Sequence, residues 1–312
     1  MRPPGLPRML KRFFSARHTG WIAAAHQGDA LDLVHVSRDG SGRPQLHQAV
    51  RQAGVEGDLA ARIASATRAS GLRKGRHTWL LHGLDYQILQ VDTPDVPEAE
   101  QRNALRWQLK DALQQRVEDS VFDLLPLPPP AHARGRPPAL VIAAARAALA
   151  PVAQAFSAAR LDLAAIDVPE LALRNIAALH NTAPRGIVLL HFDADGGLLV
   201  VCHEGELVTS RRLDVSADQL ALADDLRVSR YERLGLELQR SLDNFDRQYS
   251  HIPLERLVLS VPPEAASIID FLASNLYIPV EPLDLGALMG GTGQLGACSL
   301  LTLGAALRSE PA

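Results

Sequence analysis

The segment that most constrains this chain is residues 187–211. It reads Ile-Val-Leu-Leu-His-Phe, then Asp193-Ala194-Asp195-Gly196-Gly197, then Leu-Leu-Val-Val-Cys, His-Glu-Gly-Glu and Leu-Val-Thr-Ser-Arg. Short β-branched-rich runs separated by Asp/Gly turns predict a three-stranded antiparallel meander. The runs are apolar at successive positions and do not alternate. Such strands are covered on both faces, which puts the meander inside a layered α/β structure. The first turn has two open readings. Asp and Gly supply the dihedrals of a plain tight hairpin. The same residues could cradle phosphate, with glycine admitting close backbone N–H groups and a carboxylate holding Mg²⁺.

Residues 21–47 repeat the pattern: apolar run, Gln27-Gly28-Asp29, apolar run, a second glycine turn, and a third run. Two such units half a chain apart predict two related lobes. A chain of 312 residues is long enough for both. Its net charge of −3 offers no footprint for nucleic acid. No apolar run approaches the roughly 20 residues of a membrane span. Cys202 and Cys298 sit in apolar runs without metal-ligand spacing, as buried small hydrophobes of a reducing compartment do. Residues 1–19 differ from the rest: Arg2, Arg8, Lys11, Arg12 and Arg17 stand with Phe13 and Phe14 and no acid. This tail is either solvated or placed against an anionic membrane surface.

Between the meanders, Asp58 is placed to cap a helix that Gly71 stops. Strands are expected at Trp79–Leu81, 86–91, 117–127, 139–144 and 163–168, and helices from Pro97 to about Leu113, over 146–159, and from Pro169. Leu105, Leu109 and Leu113 form the buried stripe of the Pro97 helix; Trp107 lies on another face, where packing against a neighbouring element is expected first and an exposed partner-binding role second. The domain reading is a basic tail over 1–19, a first lobe over 20–183 with an inserted subdomain at about 86–159, and a second lobe over 184–312. In the second lobe, Gly235, Leu238, Leu242, Phe245 and Tyr249 form a helical seam, with Glu237, Arg240 and Asp243 off it. The last helix is apolar almost all round, and Gly296 and Gly304 are expected to allow it close approach.

Two meander-plus-α/β lobes resemble the actin-like, sugar-kinase and Hsp70 fold. Leu105-Arg106-Trp107 with Val121-Phe122-Asp123, Ala143-Ala144-Ala145-Arg146 with Asp167-Val168-Pro169-Glu170, and Glu237-Leu238-Gln239-Arg240 with Asp243-Asn244-Phe245 resemble PilM-like pilus assembly proteins, nearest to those of the mannose-sensitive haemagglutinin (MSHA) pilus. The likeness runs from about Gly20 to Arg308. It implies an actin-like fold with an inserted PilM/FtsA-type subdomain, in a cytoplasmic protein peripheral to the inner membrane. Its implied partner is the cytoplasmic N-terminal peptide of a bitopic PilN-like protein. The family also implies ATP bound between the lobes. Here the resemblance places Asp193, Asp195, Gly196, Gly197, Glu237 and Arg240 in that cleft. The chain departs from the family at two nucleotide loops: the first turn, 23–27, lacks the acid, and the late strand ends Val261-Pro262-Pro263 without glycine. The expectation is a non-catalytic scaffold without a cofactor, weak ATP/Mg²⁺ binding being left open. Alternatives are an ATP-binding or ATP-hydrolysing actin-like protein, and a type II secretion component. Against the last, such a protein continues into a transmembrane helix, which this chain lacks up to Ala312.

Overall fold

The computed structural model describes residues 20–54, 57–131, 136–180 and 184–309. The basic tail, with its expected membrane contact, lies outside the described residues, and so do positions 181–183 of the expected lobe boundary.

Each meander forms as its turns dictate. Strands β1 (Gly20–Gln27), β2 (Ala30–Arg38) and β3 (Pro44–Gln52) are antiparallel, and β4 (Arg76–Leu80) and β8 (Asp162–Asp167) join parallel to give the order β3-β2-β1-β4-β8. Strands β9 (Gly186–Asp193), β10 (Gly196–His203), β11 (Glu206–Leu213), β12 (Leu254–Ser260) and β13 (Val280–Pro282) give the order β11-β10-β9-β12-β13. The two orders correspond strand for strand, so residues 21–47 and 187–211 occupy equivalent positions. Two-sided burial follows the pleat. Ile22 and Ala24 join the cluster that contains Trp79 and Phe156, while Ala23 and Ala25 join the one that fills the seam between the sheets. In β9, Val188 and Leu190 face one layer and Ile187 and Leu189 the other.

Helix α1 ends where its caps put it. Asp58 accepts the Ala61 N–H at the start of α1 (Leu59–Ser70), and Gly71 closes it with φ +75°. Helix α3 (Arg146–Ala158) lies against α1, and its Val152, Ala155 and Phe156 share a cluster with Ile63 and Trp79. It therefore backs the first sheet. The inserted subdomain is narrower than 86–159: it is the sheet β5 (Tyr86–Val91), β7 (Ala139–Ala145) and β6 (Ser120–Pro126), in the order β5-β7-β6, with α2 (Glu98–Leu109). Leu109, Leu113, Val117, Phe122, Val141 and Ala143 are its own small core. Among the described residues Trp107 does not pack against a neighbouring element: it is 77% exposed, with the Lys110 ammonium 5.9 Å from its ring. The stripe of α2 is already satisfied by leucines, which leaves the tryptophan in solvent.

In the second lobe, α5 (Ala217–Ala221) starts at a Ser216/Gln219 capping box. Helix α6 (Arg227–Gln248) buries Gly235, Leu238, Leu242 and Phe245, together with Tyr231 and Leu234, against the second sheet and α7 (Ser267–Asn275). Each buried leucine or phenylalanine side chain contributes about 1.5–3 kcal/mol.

After α8 (Leu285–Leu288) the chain returns to the first lobe. Gly290 and Gly293 hydrogen-bond to Pro44 and Leu46 on the outer edge of β3 at 2.9 Å. A Cβ on Gly291 would fall 2.3 Å from the Leu46 carbonyl oxygen, so only glycine fits there. Helix α9 (Leu300–Ala306) then packs on α4 (Pro169–Ala177) and on β1, β2 and β4. Both helices fill the seam between the two sheets. Two buried carboxylates pin this return: Asp32 accepts from Arg51 and from the Ser299 N–H at 2.7 Å, and Asp167 pairs with Arg308 at 2.6 Å. A Cβ on Gly304 would meet the Ala172 carbonyl oxygen at 2.3 Å, a true close approach; Gly296 has open space and φ +58°, so its role is the turn alone. Cys202 and Cys298 are buried and free, and burial pushes both thiols up to about 12.

Candidate functional site

Ligands of open α/β sheets bind beyond the carboxyl ends of the strands. Here the ends of β1, β4 and β9 converge on a cleft of about 340 Å³ between the lobes. Leu80, Leu81, Leu198, Leu213 and Leu301 make much of its wall apolar.

The polar groups enter from two turns. In the second lobe, Asp193 ends β9 and its Oδ1 accepts the Asp195 N–H at 2.9 Å, which fixes the hairpin from within. Gly196 follows with φ +136°, and a Cβ on Gly197 would lie 2.5 Å from the Phe192 ring. Both glycines let β10 leave the turn tight against β9. From the first lobe, the turn after β4 brings His82, whose Nε2 lies 3.0 Å from Asp195 Oδ2, a bridge between lobes. His26 stacks edge-on against Trp79 at 5.1 Å, and burial, aided by Arg62, pushes its pKa down. Behind Asp193, buried His191 meets the Ser260 hydroxyl through Nδ1 at 3.1 Å. Its Nε2 lies 3.8 Å from Asp193 Oδ2 without a hydrogen-bond partner. Burial lowers the His191 pKa against the opposing pull of Asp193.

One side wall is a latch. The Tyr86 hydroxyl of β5 donates to Glu170 in the first turn of α4, and Arg212 of β11 donates to both Tyr86 and Glu170. Burial, reinforced by Glu170, pushes the Tyr86 pKa far up, so the phenol keeps its proton. A Cβ on Gly83 would lie 2.8 Å from Arg212 Nη1, so this turn is closed against the guanidinium. Inserted subdomain, seam helix and second lobe thus meet at three side chains. Sequence reading missed them. An acid in the first turn of a proline-started helix was visible at Glu170, but its partners lie 84 and 42 residues away.

Of the six residues expected in the cleft, Asp193, Asp195, Gly196 and Gly197 line it together. Glu237 and Arg240 do not. Both lie on α6, whose seam residues turn toward the second sheet and carry these two positions away from the cleft. Arg240 lines a separate hollow beside β11. A Mg²⁺–triphosphate is a poor match to the groups present. It would meet the carboxylates of Asp85, Asp193 and Asp195, the sole guanidinium of the lining is already committed to Glu170 and Tyr86, and His26 is held toward its neutral form. Among the described residues, no group of three or more His, Cys, Asp or Glu is placed to hold a metal ion.

No protein-family profile and no curated protein sequence matches this chain. Solved structures do. The chain is similar to a structure of the PilM–PilN type IV pilus biogenesis complex at 22% identity, covering 93% of this chain and 98% of that one, with a TM-score of 0.71. It is also similar to the cytoplasmic domain of EpsL, an inner-membrane component of the type II secretion system of Vibrio cholerae, at 16% identity, covering 94% and 96%, with a TM-score of 0.50. A Bacteroides thetaiotaomicron protein with an actin-like ATPase fold matches at 9% identity over 98% and 100% of the two chains, with a TM-score of 0.51. The duplicated sheet order, the cleft between lobes and these likenesses define one class: the chain has the actin-like fold. Among the described residues, no helix is long and apolar enough to cross a membrane.

Proposed function

We propose that this protein is a scaffold of a type IV pilus assembly machine, of the kind represented by the MSHA pilus biogenesis protein MshI. It works at the cytoplasmic face of the inner membrane and binds the cytoplasmic N-terminal peptide of a bitopic PilN-like protein. The observation that carries this reading is the likeness to the PilM–PilN complex over nearly the full length of both chains, inserted subdomain included. The docking place is the groove of the first lobe beside that subdomain. Among the described residues its edge strand β6 pairs in the sheet with β7 alone, and main-chain pairing can seat an extended peptide there. The work is binding, without nucleotide turnover, because the cleft gathers carboxylates where phosphates would need cations.

Isothermal titration with N-terminal peptides of PilN-like proteins tests the partner. Saturable binding that weakens in Leu124→Pro, which removes a β6 N–H turned away from β7, is expected; binding unchanged by that variant places the peptide elsewhere. A phosphate-release assay tests the cleft. Background rates are expected, and Mg²⁺-dependent turnover abolished by Asp193→Ala would overturn the scaffold reading.

A further inference from the structure

Strand β11 is the free edge of the second sheet: it pairs with β10 only. No backbone hydrogen bond from another segment reaches residues 206–213 among the described residues. Unlike the outer edge of β3, which residues 290–293 cover, this edge has no strand or loop of the described residues upon it. It is also recessed. On one face of the sheet it borders a hollow of about 350 Å³ against the inserted subdomain, lined by Ile88, Gln90 and Leu140. On the other face it borders a hollow of about 380 Å³ against α6, lined by Arg240, Asn244 and Gln248. Thr209, Ser210 and Arg211 belong to both hollows. The Ala131 N–H of the inserted subdomain bonds to the Gln248 carbonyl at 2.9 Å and ties the two walls together.

An open strand edge between two hollows on opposite faces has the form of a strand-addition site. Side chains of an added strand point alternately to the two faces, so alternate residues would enter alternate hollows. Its charge selects the strand. Arg211 and Arg240 line the α6 hollow with no carboxylate among its lining residues; the sole acid of the other hollow, Glu170, is already bonded to Arg212. The chain's own basic tail is disfavoured by this field, and a second copy's β11, with Arg211 and Arg212, likewise. We propose that the trough along β11 is a second docking surface, separate from the β6 groove, that takes an extended acidic peptide segment of a protein partner by strand addition. This gives Arg240 a role outside the cleft.

The test uses the full chain and a synthetic probe, an acetylated and amidated peptide of alternating valine and glutamate, four of each. Fluorescence titration is paired with hydrogen exchange of residues 206–213. The proposal expects saturable binding, slowed exchange along β11, and an affinity loss of about tenfold or more in Arg240→Glu. It also expects loss of binding when alternate peptide nitrogens are methylated, because that removes ladder donors and leaves the charge. No binding at millimolar peptide overturns it, as does equal binding of the methylated peptide or of a valine–lysine peptide. Protection confined to residues 120–126 would assign the acidic peptide to the β6 groove. That result overturns the second surface and leaves the pilus-scaffold reading intact.

Discussion

The two lobes carry the same hairpin at the same place, yet only one brings charge to the cleft. In the first lobe, Gln27 pairs with Ala30 across a Gly28-Asp29 turn; in the second, Asp193 pairs with Gly196 across Ala194-Asp195. Each turn has an aspartate at its second position. Asp195 lines the cleft and reaches His82 of the other lobe, whereas Asp29 is not among the lining residues and its carbonyl is held by Arg62. The decisive residue is the last of the leading strand. Asp193 cross-links its own turn and turns a carboxylate to the cleft, while the equivalent Gln27 offers a neutral amide. The two turns have the same length but not the same backbone, since the positive φ falls at Gly28 within the first turn and at Gly196 just after the second; the difference in cleft chemistry comes from the strand-end side chain.

Breaking the seam that holds the lobes together should have the largest effect. Gly304→Val places a side chain on the Ala172 carbonyl and is expected to destabilise by about 3 kcal/mol or more, read as a fall in the urea midpoint. The next effect is with pH. His26, His77 and His191 all have folded pKa values lowered by burial. A lowered histidine pKa means the unfolded chain binds more protons, so this stability is fully present above about pH 6.5 and is lost as pH falls from there. Urea midpoints at pH 7.5 and 5.5 should therefore differ, and His77→Gln should flatten the difference; a midpoint that rises on acidification would exclude it.

A sharper comparison of the turns comes from their glycines. Gly197→Ala drives a Cβ into Phe192 and should cost about 2 kcal/mol through overpacking. Gly28→Ala meets nothing within 4 Å and carries only the cost of φ +60°, about 1 kcal/mol. Equal losses in the two variants would contradict the picture of a tight second hairpin and an open first one. The smallest effect belongs to Asp195→Asn. The His82 pair it weakens is largely solvent-exposed, so stability should fall by less than about 0.5 kcal/mol. Hydrogen exchange of the 81–85 turn should nevertheless rise, because that pair is its side-chain hydrogen bond to the second lobe.

The sequence by itself determined the local pieces. Continuous apolar runs broken by Asp/Gly turns set both meanders; Asp58 and Gly71 set the ends of α1; the four-and-three spacing of Gly235, Leu238, Leu242 and Phe245 set the buried face of α6. All are decided within one or two turns of chain, where hydrogen bonding and side-chain period act. The duplicated lobes were legible for the same reason, since each meander is a contiguous signal. Four of the six cleft residues were legible because they share one turn. Only the tertiary structure decided what depends on distant segments meeting. It withdrew Glu237 and Arg240 from the cleft, joined Tyr86, Glu170 and Arg212 across the lobes, moved α3 from the inserted subdomain to the layer behind the first sheet, and left Trp107 in solvent. It also sent residues 289–308 back to the first sheet, although sequence order put them with the second lobe. Periodicity says that a helix such as α9 must be covered on all sides. It does not say by which sheet, because packing partners are chosen by shape and by contacts such as Asp167 with Arg308, 141 residues apart.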